Sequence, residues 1–151
     1  GHLETSIGYM VYCPGGEDYL IDHKLHDAQT AYEDIRDERW SRYPAGKTEL
    51  LMEFDSKVPR NTLMVRMLNS HKDGIIPPSK VFLWAADAAE EENYRLIGIA
   101  DTPVFPNTGH DAFIDYAIFE DLDLTQKYLK IEFTAESEIY IDEIIINPEL
   151  L

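Results

Sequence analysis

Glu138-Ile-Tyr-Ile-Asp-Glu-Ile-Ile-Ile-Asn147 is the stretch whose reading decides the fold class. Its alternation marks a strand, with Ile139, Ile141, Glu143 and Ile145 on one face. The other face then carries Tyr140, Asp142, Ile144 and Ile146. An ionised carboxylate at Glu143 is costly in such an apolar strand unless something cationic meets it. No Lys or Arg lies between Lys130 and the C-terminus, so its partner must come from elsewhere. A cation held jointly with the acidic loop early in the chain is one solution.

Working outward, the same alternation recurs through most of the chain. Leu50, Met52 and Phe54 alternate with Leu51, Glu53 and Asp55, and Leu63, Val65 and Met67 with Met64, Arg66 and Leu68. Lys80 to Ala86 sets Phe82 and Trp84 against Val81 and Leu83. Tyr128, Lys130, Glu132 and Thr134 oppose Leu129, Ile131 and Phe133. Further strands are expected over Ser6–Cys13, Tyr94–Ala100 and Ala112–Phe119. Turn signals separate them: Pro14-Gly15-Gly16, Asp73-Gly74, Pro77-Pro78, the acidic Asp87–Asn93 and the Pro-containing Thr102–Asp111. Residues 17–40 are polar and acidic with weak apolar periodicity, and read as a long loop of the kind that binds something. About eight strands without a convincing amphipathic helix predict an all-β fold, an antiparallel β-sandwich of jelly-roll type. With no internal repeat or linker, residues 1–151 are expected to form a single domain.

Composition narrows the function. Acidic residues outnumber basic ones 29 to 13, for a formal charge of −16. That field repels nucleic acid, anionic membranes and heparin-like polyanions and makes a neutral ligand or a cation the more natural partner; the alternative is that the acidity only confers solubility. Cys13 is the sole cysteine, which excludes an internal disulfide and favours a buried, inert thiol over a reactive one. No run is apolar enough to span a bilayer. Gly1-His2 reads as a tag remnant, which makes an excised module of a longer protein the expectation. Catalytic signatures such as His-Glu-x-x-His, Cys-x-x-Cys, Gly-x-Ser-x-Gly or a phosphate loop are missing. His23 and His26, near Asp22 and Asp27, form only a weak transition-metal pattern.

Gly15-Gly16-Glu17-Asp18-Tyr19-Leu20-Ile21-Asp22 followed by Arg39-Trp40 resembles elements of discoidin-like modules of the coagulation-factor C-domain type. Ile76-Pro77-Pro78-Ser79-Lys80-Val81, Lys127 to Ile131 and Ile139 to Ile144 are similar to further parts of that pattern. The resemblance runs from about Gly15 to Asn147 and departs at Asp22-His23, at Phe54-Asp55-Ser56 and at the Asp87 turn, which lacks its glycine. It implies a galactose-binding-like jelly roll, similar to C-terminal accessory domains of bacterial hexosaminidases and other glycan-acting enzymes.

By resemblance a structural calcium would be held by Asp22, nearby carbonyls, Asp27 and Glu143. Calcium takes six to eight oxygens, so a loop pinned to a strand suits it. The alternatives are that Glu143 sits at a bulge, reaches solvent, or pairs with Arg39 or Lys24. A carbohydrate site would sit on loops at one end of the sandwich, with Trp40, Arg66, Asn69, His71, Tyr94 and His110 as candidates. Arg66 could instead pair with Glu53 across strands, and Trp84 is expected in the core or on a sheet surface. The expectation is therefore a non-catalytic accessory module of a secreted, periplasmic or cell-surface bacterial protein. It would bind a neutral glycan or brace the catalytic domain of the same polypeptide. The alternative is a structural or protein-interaction domain without a sugar site.

Overall fold

A computed structural model of the chain describes residues 2–4, 10–12, 41–54, 59–102 and 113–147. The described residues form ten strands: β1 (His2–Glu4), β2 (Met10–Tyr12), β3 (Ser41–Tyr43), β4 (Gly46–Phe54), β5 (Leu63–Asn69), β6 (Lys80–Ala86), β7 (Arg95–Asp101), β8 (Phe113–Phe119), β9 (Tyr128–Ala135) and β10 (Ile139–Ile146). Two single 3-10 turns, His71–Asp73 and Glu91–Asn93, are the only helical elements among the described residues. All pairings are antiparallel. One sheet runs β1-β2-β4-β9-β6-β7 and the other β3-β10-β5-β8. The β-sandwich expected from the alternation is the architecture found, with four main strands in each layer. β1 and β3, three residues each, have no alternation for the sequence to display.

The inward residues of both sheets make the core. Leu50, Met52 and Phe54 of β4 and Leu129, Ile131 and Phe133 of β9 meet Leu63, Val65 and Met67 of β5 across the interface. Each such side chain contributes about 1.5–3 kcal/mol on burial. The chain changes sheet at every connection from β3 to β10 except the β6–β7 hairpin. Consecutive strands therefore face one another across the core.

The last strand departs from strict alternation. The β10–β5 register shifts between Ile141, opposite Met67, and Glu143, opposite Arg66. A bulge adds one residue and reverses the facing of everything after it. Ile139, Ile141, Ile144 and Ile146 consequently all enter the core, and Glu143 turns to the outer face. The period-two reading placed Glu143 with Ile139 and Ile141; the bulge over Asp142-Glu143 corrects it.

One end of the sandwich is closed by two buried polar residues. Arg60, fully buried, lies 3.8 Å over the Phe54 ring and donates from Nη1 to the carbonyls of Gln126, at 2.6 Å, and Leu124, at 3.3 Å. Asn147, in the left-handed region at φ 50, accepts the Asn61 N–H at 2.7 Å on Oδ1 and donates to the Pro59 carbonyl at 3.0 Å. Together they tie the β4–β5 connection to the β8–β9 connection and to the end of β10. At the other end Gly74, at φ 73, completes the turn that brings Ile75 back to Ser70.

Candidate functional site

The candidate residues fall in three separate places. Trp40 and His110, like Asp22 and Asp27, lie outside the described residues. Asn69 and His71 come together at the end of the sandwich where β5 stops. Arg66 lies on the outer face of the four-stranded sheet, since its neighbours Val65 and Met67 point into the core. Tyr94 precedes β7 at the opposite end and packs on the outer face of the six-stranded sheet.

At the β5 end, Asn69 Nδ2 donates to Asp115 Oδ2 at 2.8 Å, and both side chains are buried. Burial pushes the Asp115 carboxyl above its ordinary pKa, opposed by the Asn69 hydrogen bond and by the charge of His71. Asn69 Oδ1 and His71 Nε2 are buried without a hydrogen-bond partner. Ser70 Oγ donates to Asp73 Oδ2 and holds the turn between them. The same end carries a groove of about 520 Å³ lined by Ile76, Pro77, Pro78, Thr134, Glu136 and Ser137, among others. Its polar anchor is Ser137 Oγ, which accepts the Ile76 N–H at 3.0 Å.

On the outer face of the four-stranded sheet, Glu143, Arg66 and Tyr116 form one row across β10, β5 and β8. Glu143 is 1% exposed and Arg66 7%. Directly opposed residues on one face have Cβ atoms about 4.5–5.5 Å apart, so the register sets Arg66 beside Glu143. A guanidinium at that register position is one answer to the electrostatic need of the carboxylate, and a cation held with the early acidic loop is the other. Glu53, the other partner considered for Arg66, sits on the six-stranded sheet and pairs with Lys127 at 3.4 Å.

The outer face of the six-stranded sheet is the one rich in aromatics. Leu51, Lys130, Trp84 and Leu96 form a row across β4, β9, β6 and β7. Lys130 is 6% exposed, and its Nζ lies 5.2 Å from the Trp84 ring centroid and 4.8 Å from that of Tyr94. Cation–π attraction to two rings offsets part of the cost of burying this ammonium. Phe82, Tyr94 and Tyr128 stand half-buried around it, and Leu96 and Ile99 are 45% and 50% exposed at the edge. Burial first, then the nearby Tyr128 and Glu49, raises the Tyr94 phenol above its ordinary pKa. Trp84 does lie on a sheet surface, as expected, but Lys130 escaped the sequence reading. Its signal was a lysine on the polar face of β9, at a position whose cross-strand partner on β6 is a tryptophan.

No family model matches the chain, and no curated protein sequence matches it.

Proposed function

We propose that the chain is a non-catalytic carbohydrate-binding or accessory module of a larger secreted bacterial glycan-acting protein. The observation that carries this reading is the aromatic outer face formed by Phe82, Trp84, Tyr94 and Tyr128 around Lys130. Flat rings on a rigid sheet offer the platform on which the apolar face of a sugar stacks. A jelly roll of the galactose-binding-domain type belongs to the same proposal. It is supported by the antiparallel pairing and by the chain's repeated crossing between sheets. The polar cluster of Asn69, His71 and Asp115 offers a second place for hydroxyl groups.

A glycan array with the intact chain tests this. Binding should weaken in Tyr94→Ala and Tyr128→Ala if the sheet face is used, and in His71→Ala if the β5 end is used. A silent array would favour the protein-interaction reading, for which the exposed Leu96 and Ile99 beside the aromatics speak. Calcium held by Glu143 with Asp22 and Asp27 also stands as a proposal, supported by the deep burial of the Glu143 carboxylate. Calcium should raise the melting temperature of metal-stripped protein, and Glu143→Gln should remove the increment. Identical melting with calcium and with chelator would sink that idea.

A further inference from the structure

We propose that the outer face of the six-stranded sheet holds a carboxylate-binding subsite, in which Lys130, framed by Trp84 and Tyr94, takes the carboxylate of a single uronic-acid unit on an otherwise neutral glycan. This rests on the glycan-binding reading and names the ligand chemistry it requires.

The first observation is the pairing of charges on that face. Lys47 meets Glu49 at 3.1 Å and Glu132 at 3.9 Å, and Lys127 meets Glu53 at 3.4 Å. Glu49, Glu53 and Glu132 are thus engaged by other, exposed lysines. Lys130, far more buried than either, has only ring faces at its tip among the described residues. Its row neighbours Leu51 and Trp84 have no acceptor to offer.

The second observation is the state of the ammonium itself. A lysine carries three N–H donors, and attraction to a ring face satisfies none of them as an oxygen would. The Trp84 indole nitrogen beside Lys130 is itself buried without a hydrogen-bond partner among the described residues, so two polar groups at this place lack an oxygen. A cation held in place and partly desolvated is preorganised for an anion.

The surroundings choose the anion. Half-buried rings beside the ammonium suit a ligand with an apolar C–H face next to its charge, which a uronic-acid ring provides. The chain's charge of −16 works against a polyanion, so isolated carboxylates are accepted and runs of them are not. The opposing field is screened by salt, while the short contact at Lys130 is screened much less. Binding should therefore persist as ionic strength rises to physiological values.

The test titrates the intact chain with methyl β-D-glucuronide and methyl β-D-glucoside, which differ only in carrying a carboxylate or a hydroxymethyl group. Tryptophan fluorescence and the Lys130 side-chain NMR signal are the readouts. The glucuronide should bind about tenfold tighter or better, as a charge-assisted hydrogen bond supplies. The Lys130 signal of the unsubstituted protein should move with the glucuronide and stay with the glucoside, a result that needs no variant. Lys130→Met should remove the preference, so that the glucuronide binds no tighter than the glucoside, and Lys130→Arg should retain it. Equal binding of the two sugars, or a preference that survives Lys130→Met, overturns the subsite while the glycan reading stands. Failure of both sugars to bind, together with a silent array, overturns both.

Discussion

Among the described residues the two sheets each bury one cation on their outer face, and they treat it differently. Arg66 on the four-stranded sheet stands opposite Glu143, a carboxylate that the β10 bulge turned out of the core. Lys130 on the six-stranded sheet stands opposite Trp84 and under Tyr94, with rings in place of an anion. A buried guanidinium opposite a buried carboxylate has an anion of its own chain beside it, so that face has little reason to bind an anion from outside. A buried ammonium among rings is only half compensated, so its face does. Equal burial, 7% and 6% exposure, thus conceals a structural device on one side and a receptive one on the other.

Breaking the first arrangement should have the largest effect. Arg66→Met leaves a buried carboxylate without its cross-strand cation and should cost about 3–5 kcal/mol in urea denaturation. Adding Glu143→Leu should restore most of that loss. Simple additivity of the two substitutions would mean that Arg66 and Glu143 do not act as a pair.

Lys130→Met should be milder, because the flexible apolar side chain keeps the contact with Trp84 and loses only the cation–π attraction, about 2 kcal/mol for a desolvated contact. A loss as large as that of Arg66→Met would show that Lys130 is compensated by more than aromatic rings. The difference between the two faces would then disappear.

Asp115, at the end between the faces, should respond to pH with the opposite sign from a carboxylate held by a salt bridge. Its folded pKa is raised by burial, so the folded state keeps the proton to higher pH than the unfolded chain does. Its contribution is most favourable at low pH and is lost as pH rises from the ordinary carboxyl value through the raised folded one. Asp115→Asn, which still accepts from Asn69, should be more stable than the parent at neutral pH, and the gain should vanish in acid. A stability difference that does not change with pH would contradict the burial cause. Least of all, Lys127→Ala, which removes an exposed partner of Glu53, should shift stability by a few tenths of a kcal/mol, less so in high salt.

Most of the scaffold was legible because half-buried strands leave a period of two in the sequence. Leu50-Met52-Phe54 and Leu129-Ile131-Phe133 point inward as their alternation says. The last strand misled because a bulge adds a residue without changing composition. A hint was present in the adjacent acids Asp142-Glu143, with Ile141 and Ile144 flanking them three positions apart. Arg60 and Asn147 were invisible because their partners are backbone atoms of connections distant in sequence. The aromatic face was hidden for a related reason. Trp84 and Lys130 become neighbours only through the β6–β9 pairing, which alternation within one strand does not specify.

Mapping the backbone and side-chain chemical shifts during titration with methyl β-D-glucuronide tests the contrast between the faces most directly. Shifts should gather at Leu51, Trp84, Tyr94, Leu96 and Lys130 and spare Met64, Arg66, Tyr116 and Glu143. Shifts centred on the Arg66 row, or spread equally over both faces, would contradict it.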